Sequence, residues 1–266
     1  NVPFFLLRAV VYFAVWEGVA YFLARWSHAL DAVPRVDLLR RLRLLSGPGL
    51  VLYGVAITFA SIDWVMSLEP HWNSTIYGLI MMVGQGLMAL ALMIAAAAVL
   101  GEHGPLAEVM TSEHFHDLGN LLLTLVLLWA YLAFSQFLII WSANLPEEIP
   151  WYLRRSQGGW AWVGLAVIVC YFVLPFLLLL SRDLKRNARA LAWLAVAVIL
   201  MSFVDLWWRV TPAFHPDEWY VHWMDVAAPL GLGGLWLATF AWQLQRRPLV
   251  PPGDLFRQEA LQRAHE

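Results

Sequence analysis

The sequence predicts an all-α integral membrane protein with seven transmembrane helices. Three observations carry that prediction. Seven apolar runs fill most of the 266 residues. The chain is 61% hydrophobic and only 14% charged, far from the average of soluble proteins. The loops between the runs sort by charge. Each run is close to or above the roughly 20 residues that a helix needs to cross a hydrocarbon core of about 30 Å. The runs are apolar on nearly every face, where a soluble helix would be striped. Inside lipid only helices and closed barrels satisfy the backbone, and runs this long exclude barrel strands.

The first run, 3–26, is too long for a signal peptide and lacks a small-residue cleavage site. The chain enters it at once from Asn1, which reads as a fragment with upstream helices missing. Basic segment 25–43 follows, then run 49–67, which contains Asp63. Loop 68–73 leads to run 74–100, and loop 101–117 to run 118–143. Loop 144–158 precedes run 159–181, in which Pro175 is a kink candidate. A basic turn, 182–189, opens run 188–210, and loop 211–220 opens run 221–244. The expected organisation is the end of a first helix bundle over 1–67 and a second four-helix bundle over 68–210. A last helix with its outer loop over 211–245 and a cytoplasmic tail over 246–266 complete it.

Lysine and arginine set the expected orientation. Arg25, Arg35, Arg40, Arg41 and Arg43 lie on one side with Arg182, Lys185, Arg186, Arg189 and the tail arginines 246, 247, 257 and 263. The other side carries only Arg154, Arg155 and the membrane-edge Arg209. The first set is expected in the cytoplasm. Loops 68–73, 144–158 and 211–220 are then periplasmic or external, and the first helix runs inward, with an odd number of helices before it if the true N-terminus is cytoplasmic. These outer loops are rich in proline, acid and tryptophan, so they read as stiff segments suited to docking an external partner, or as short turns with interfacial anchors. Trp72, Trp141, Trp151, Trp160, Trp219 and Trp223 are expected in the interfacial belt.

Ionisable groups in an apolar slab need a reason, since each costs about 2.5–3.5 kcal/mol at a helix centre. The outer group is Asp63, Glu69, His71, Asp205, Arg209, His215, His222 and Asp225. Asp205 and Arg209 are four apart and read as a structural ion pair. His222 and Asp225 are three apart, just before Pro229-Leu230-Gly231-Leu232-Gly233-Gly234. A histidine beside a carboxylate can pass protons near neutral pH, which quinol oxidation requires; an interfacial ion pair is the plainer reading. The inner and central group is Glu17, Gln85, His114, His116, Asp117, Gln136 and Gln243. Asp117 is a candidate helix cap. Glu17, Asp117, Ser135 and Gln136 are candidates for a wet half-channel, with interhelical hydrogen bonding as the alternative. His116 stands at its mouth.

The composition also excludes. Net charge is near zero, so nothing points to nucleic acid. One cysteine, Cys170, cannot hold an iron–sulfur cluster, a zinc site or an internal disulfide. No Cys-x-x-Cys-His motif would attach a haem, and no pair of mid-membrane histidines faces another, so no haem, iron–sulfur cluster or metal is expected on this chain. The sequon Asn73-Ser74-Thr75 lies at a membrane edge and reads as chance.

Three long motifs then resemble one family. They are Asp63-Trp64-Val65-Met66-Ser67-Leu68-Glu69-Pro70-His71-Trp72-Asn73-Ser74-Thr75; His114-Phe115-His116-Asp117-Leu118-Gly119-Asn120-Leu121-Leu122 with Trp129-Ala130-Tyr131-Leu132-Ala133-Phe134-Ser135-Gln136; and Trp141-Ser142-Ala143-Asn144-Leu145-Pro146-Glu147-Glu148. They resemble the NrfD-like membrane subunits of bacterial alternative complex III, most closely the second of the paired subunits, labelled quinone-binding subunit 2. The resemblance covers roughly 50–160 well; elsewhere it is mainly helix count and placement. It implies NrfD/polysulfide-reductase-like four-helix bundles in a full protein of about ten membrane helices, of which this chain holds the last seven. It implies a multi-pass subunit in the bacterial inner membrane, and a complex that oxidises quinol. Electrons would leave through an external iron–sulfur protein and multihaem cytochromes c, beside a sibling NrfD-like subunit. It matches Asp63, His71, His116, Asp117 and Gln136 to the family motif. A lysine commonly follows Asp-Leu-Gly in the family, where this chain has Asn120.

The expected role is a quinol:cytochrome c oxidoreductase subunit with a proton pathway and quinone or menaquinone contact. Proton-pathway candidates are Glu17, Asp63, His116, Asp117, Ser135, Gln136, Asp205 and Arg209, and outer-site candidates are Asp63, Glu69, His71, His222 and Asp225. The alternatives are a purely structural subunit of the same complex and a secondary transporter. A transporter calls for two interrupted helices in related repeats, and only Pro229–Gly234 hints at one.

Overall fold

A computed structural model of the chain describes residues 1–32, 36–101, 106–107, 109–216, 218–246 and 249. The expected tail, 246–266, and the positive charges at Arg35, Arg247, Arg257 and Arg263 lie almost wholly outside the described residues. Among the described residues there is no strand, and seven helices are long and apolar enough to cross a membrane. They suggest a multi-pass membrane protein.

The helices are α1 (Val2–Ala32), α2 (Val36–Trp64), α3 (Tyr77–Leu100), α4 (Ser112–Ala143), the short α5 (Ile149–Arg155), α6 (Trp160–Ala166), α7 (Leu174–Leu180), the short α8 (Arg182–Arg186), α9 (Ala188–Val210) and α10 (Trp223–Leu244). Helix α6 continues into α7 through a π-helical stretch, Val167–Val173, to make one span. Pro175 has no N–H for the carbonyl of Tyr171, and the turn ahead of it is wide, as prolines and π-bulges distort helices.

Basic segment 25–43 is not an open loop. Helix α1 runs on to Ala32, and Arg40, Arg41 and Arg43 lie on α2, whose leucine-rich start favours helix and whose Asp37 suits the N-terminal dipole. Helix α4 starts six residues before the expected run. Thr111 caps it, accepting from the His114 N–H while the His114 ring turns back to the Thr111 N–H. Asp117 is therefore inside the second turn and is not the cap.

The chain divides into two compact units, 1–63 with 235–266, and 64–234. Their limits fall at the end of α2 and within α10. In the second unit α3 packs against α4 and α9, and the α6–α7 span closes the ring against α4 and α9. This four-helix bundle buries Leu87, Ile94, Leu122, Val126, Leu191 and Val198 in its middle. Its outward face is apolar too, as lipid contact requires, with Tyr131, Trp162, Leu177 and Trp193 exposed. In the first unit α1 and α2 carry the buried Tyr12, Ile57, Ala60 and Ser61.

Candidate functional site

The expected outer loops of the second unit meet at one end of its bundle. Glu69, just past the turn Met66–Leu68, is buried between two arginines of α5. Arg154 Nη1 donates to Glu69 Oε2 at 2.7 Å and Arg155 Nη2 to Oε1 at 2.8 Å. Arg155 also donates to the carbonyls of Trp151 and Arg209. Its guanidinium lies 3.7 Å over the Trp151 ring. Burial lowers the Arg155 pKa, and Glu69 opposes that shift. Burial also raises the Tyr152 phenol. Beneath this layer Arg209 Nε donates to Asp205 Oδ2 at 2.9 Å, both residues buried. The i, i+4 spacing puts the pair on the inner face of α9.

Gln136 belongs to this same end. It accepts from Ser74 Oγ at 3.0 Å and donates to Tyr152 Oη at 3.3 Å. That corrects the half-channel. Gln136 stands nineteen residues beyond Asp117, about 28 Å along a helix, so the two lie at opposite ends of α4. Between them α4 buries Leu122, Val126, Trp129 and Leu132. Ser135 is only partly buried, Asp117 is on the outside with 80% of its side chain exposed, and Glu17, in the first unit, is exposed. Within the second unit, no enclosed polar line joins Asp117 to Gln136 along α4 among the described residues.

His222 and Asp225 are also corrected. His222 precedes the first residue of α10, so no shared helix face relates it to Asp225. Both close the helix start instead: Asp225 Oδ2 accepts from the His222 N–H at 3.0 Å, and His222 Nδ1 from the Met224 N–H at 3.3 Å. Trp207 Nε1 also donates to Asp225 Oδ2. His71 is exposed. Trp72, Trp151 and Trp160 are core rather than belt residues: Trp72 stacks on Trp151 at 4.9 Å, and Trp208 meets Trp151 edge-on at 5.6 Å. Trp141, Trp219 and Trp223 are exposed.

The first unit holds a separate constellation. Asp63, near the end of α2, receives Arg8 Nε at 2.6 Å and Arg8 Nη2 at 2.8 Å, a two-pronged pair, and Tyr12 Oη at 2.7 Å. Arg8 and Tyr12 are four apart, one turn along α1. Beside them an open groove of about 340 Å³ is lined by Phe4, Leu7, Arg8, Val11, Tyr12 and Phe59. Arg8 lies 4.5 Å over the Phe4 ring. Arg8 was the signal to follow: it is the arginine well inside the first apolar run, far from the basic segment 25–43, and a cation there needs a carboxylate.

At the other end of the second unit, Lys185 Nζ donates to Asn120 Oδ1 at 2.7 Å, and Asn120 Nδ2 lies 3.3 Å from His116 Nδ1. A cation thus stands at Asn120, delivered from α8. Among the described residues no cluster of three or more histidine, cysteine or acidic side chains could hold a metal. No family model matches this chain, and no curated protein matches it. The chain's chemistry therefore has to be read from its own residues.

Proposed function

We propose that the chain is a membrane subunit of a quinol-oxidising complex of the NrfD-like kind, and that its quinol contact is at Asp63. The supporting observation is the Arg8–Tyr12–Asp63 constellation with an apolar groove at its side. A quinol has an apolar ring and tail with two hydroxyls. Phe4, Leu7, Val11 and Phe59 suit the ring and tail, and Arg8 and Tyr12, which line the groove, are the two residues that hold the Asp63 carboxylate. Oxidation releases two protons and two electrons per quinol. The protons leave on the side of the groove where Tyr12 and Arg8 hold Asp63, and the electrons pass to redox groups of partner subunits, which the family resemblance gives as an iron–sulfur protein and multihaem cytochromes c. The membrane is then the bacterial inner membrane.

The second unit favours a supporting role within the same complex. At one end its buried charges pair, Glu69 with Arg155 and Asp205 with Arg209, and an apolar middle separates that end from the Lys185 end.

Replacing Asp63 with Asn in the assembled complex tests the reading. Quinol-driven cytochrome reduction is expected to fall roughly tenfold or more in kcat/KM, the loss expected for a charged hydrogen bond. Unchanged turnover with intact assembly rejects the contact.

A further inference from the structure

We propose that the phosphate of an anionic phospholipid binds at Lys185 and Arg186, where α8 crosses the start of α4. Lys185 is only 7% exposed. An ammonium has three N–H donors. The Lys185 Nζ has one hydrogen-bond partner among the described residues, the neutral Asn120 Oδ1. None of the ion pairs among the described residues includes Lys185, and a buried cation without an anion is strongly penalised. The next residue repeats the pattern. Arg186 reaches Glu113 only loosely, at 3.6 Å through Nη2, and its buried Nε has no hydrogen-bond partner among the described residues.

These groups share one seam. Glu113, His116 and Asn120 are three and four apart and form one face of α4. Lys185 and Arg186 contact that face at Asn120 and Glu113. The acids there turn to solvent: Asp117 and Glu113 are 80% and 79% exposed. The lysine stem is seated by Gly119, where a Cβ would come within 2.7 Å of Lys185 Cγ.

A lipid is the anion the position favours. The turn joins two apolar spans, Trp160–Leu180 and Ala188–Ala213, so it lies where headgroups lie. It gathers Arg182, Lys185, Arg186 and Arg189 around one acid, Asp183. Phosphate oxygens accept well from both ammonium and guanidinium donors.

The test uses the full chain in nanodiscs of phosphatidylcholine with and without phosphatidylglycerol, reading lipid retention by native mass spectrometry together with Tm. Phosphatidylglycerol is expected to be retained and to raise Tm. Lys185→Gln is expected to weaken retention roughly tenfold. Because that variant can fail to fold, Asn120→Asp is the second arm. It supplies a carboxylate at the same reach, so it is expected to raise Tm in phosphatidylcholine alone and to abolish the phosphatidylglycerol response. Retention that is the same in wild type, Asn120→Asp and Arg186→Gln overturns the site. An equal Tm rise from inorganic phosphate alone overturns the lipid as the source of the anion.

Discussion

Arg155 shows how a single side chain holds the outer end of the bundle. One guanidinium joins the turn before α3 through Glu69, its own helix through the Trp151 carbonyl, and α9 through the Arg209 carbonyl. Its side chain is 1% exposed, so its charge depends on Glu69. Glu69→Gln leaves that charge uncompensated and is expected to cost about 3–5 kcal/mol, readable as a lowered midpoint in chemical unfolding of the detergent-solubilised chain. Legibility at this scale follows sequence distance. Asp205 and Arg209 are four residues apart, and their pairing is visible in the sequence because helix geometry fixes it. Asp63 and Arg8 are 55 residues apart, and Lys185 and Asn120 are 65 apart. Nothing local encodes such pairs. The cost of a lone charge in an apolar run says only that some partner exists.

At the scale of elements, the runs of apolar residues mark the spans, while caps and crossings set their limits. The capping box of Thr111 and His114 moves the start of α4 outward and takes capping away from Asp117. Thr111→Ala is expected to cost about 1 kcal/mol, measured by thermal or denaturant unfolding. The α4–α8 crossing depends on Gly119. Gly119→Ala pushes a methyl into the Lys185 stem and is expected to cost about 1–3 kcal/mol by the same measurement. Helix α10 shows where a sequence argument breaks: spacing three suggests a shared face only if both residues are helical, and His222 is not.

For the whole molecule, seven apolar helices were legible from hydropathy, because lipid leaves the backbone no other choice. Which polar groups converge was not, because a single sequence carries no neighbour information across helices: the contacts of Gln136 with Ser74 and Tyr152 join residues of three different segments. The lysine and arginine bias predicts an orientation that can be checked directly. In a Cys170→Ser background, His71→Cys is expected to react with a membrane-impermeant maleimide from outside the cell. Arg182→Cys is expected to react only after permeabilisation. The opposite pattern inverts the topology.

The stretch of α4 between Asn120 and Gln136, with the leucines and valines that surround it, has an electrical meaning. Over roughly 24 Å it carries no charged side chain, and its only hydroxyls are those of Thr124, Tyr131 and Ser135. With the Lys185 and Glu69 ends at opposite faces of an energised membrane, most of the voltage would drop along this uncharged stretch. At about 2.3 kcal/mol per charge for each 100 mV, any charge-moving chemistry completed at one end of this bundle does no work against the field.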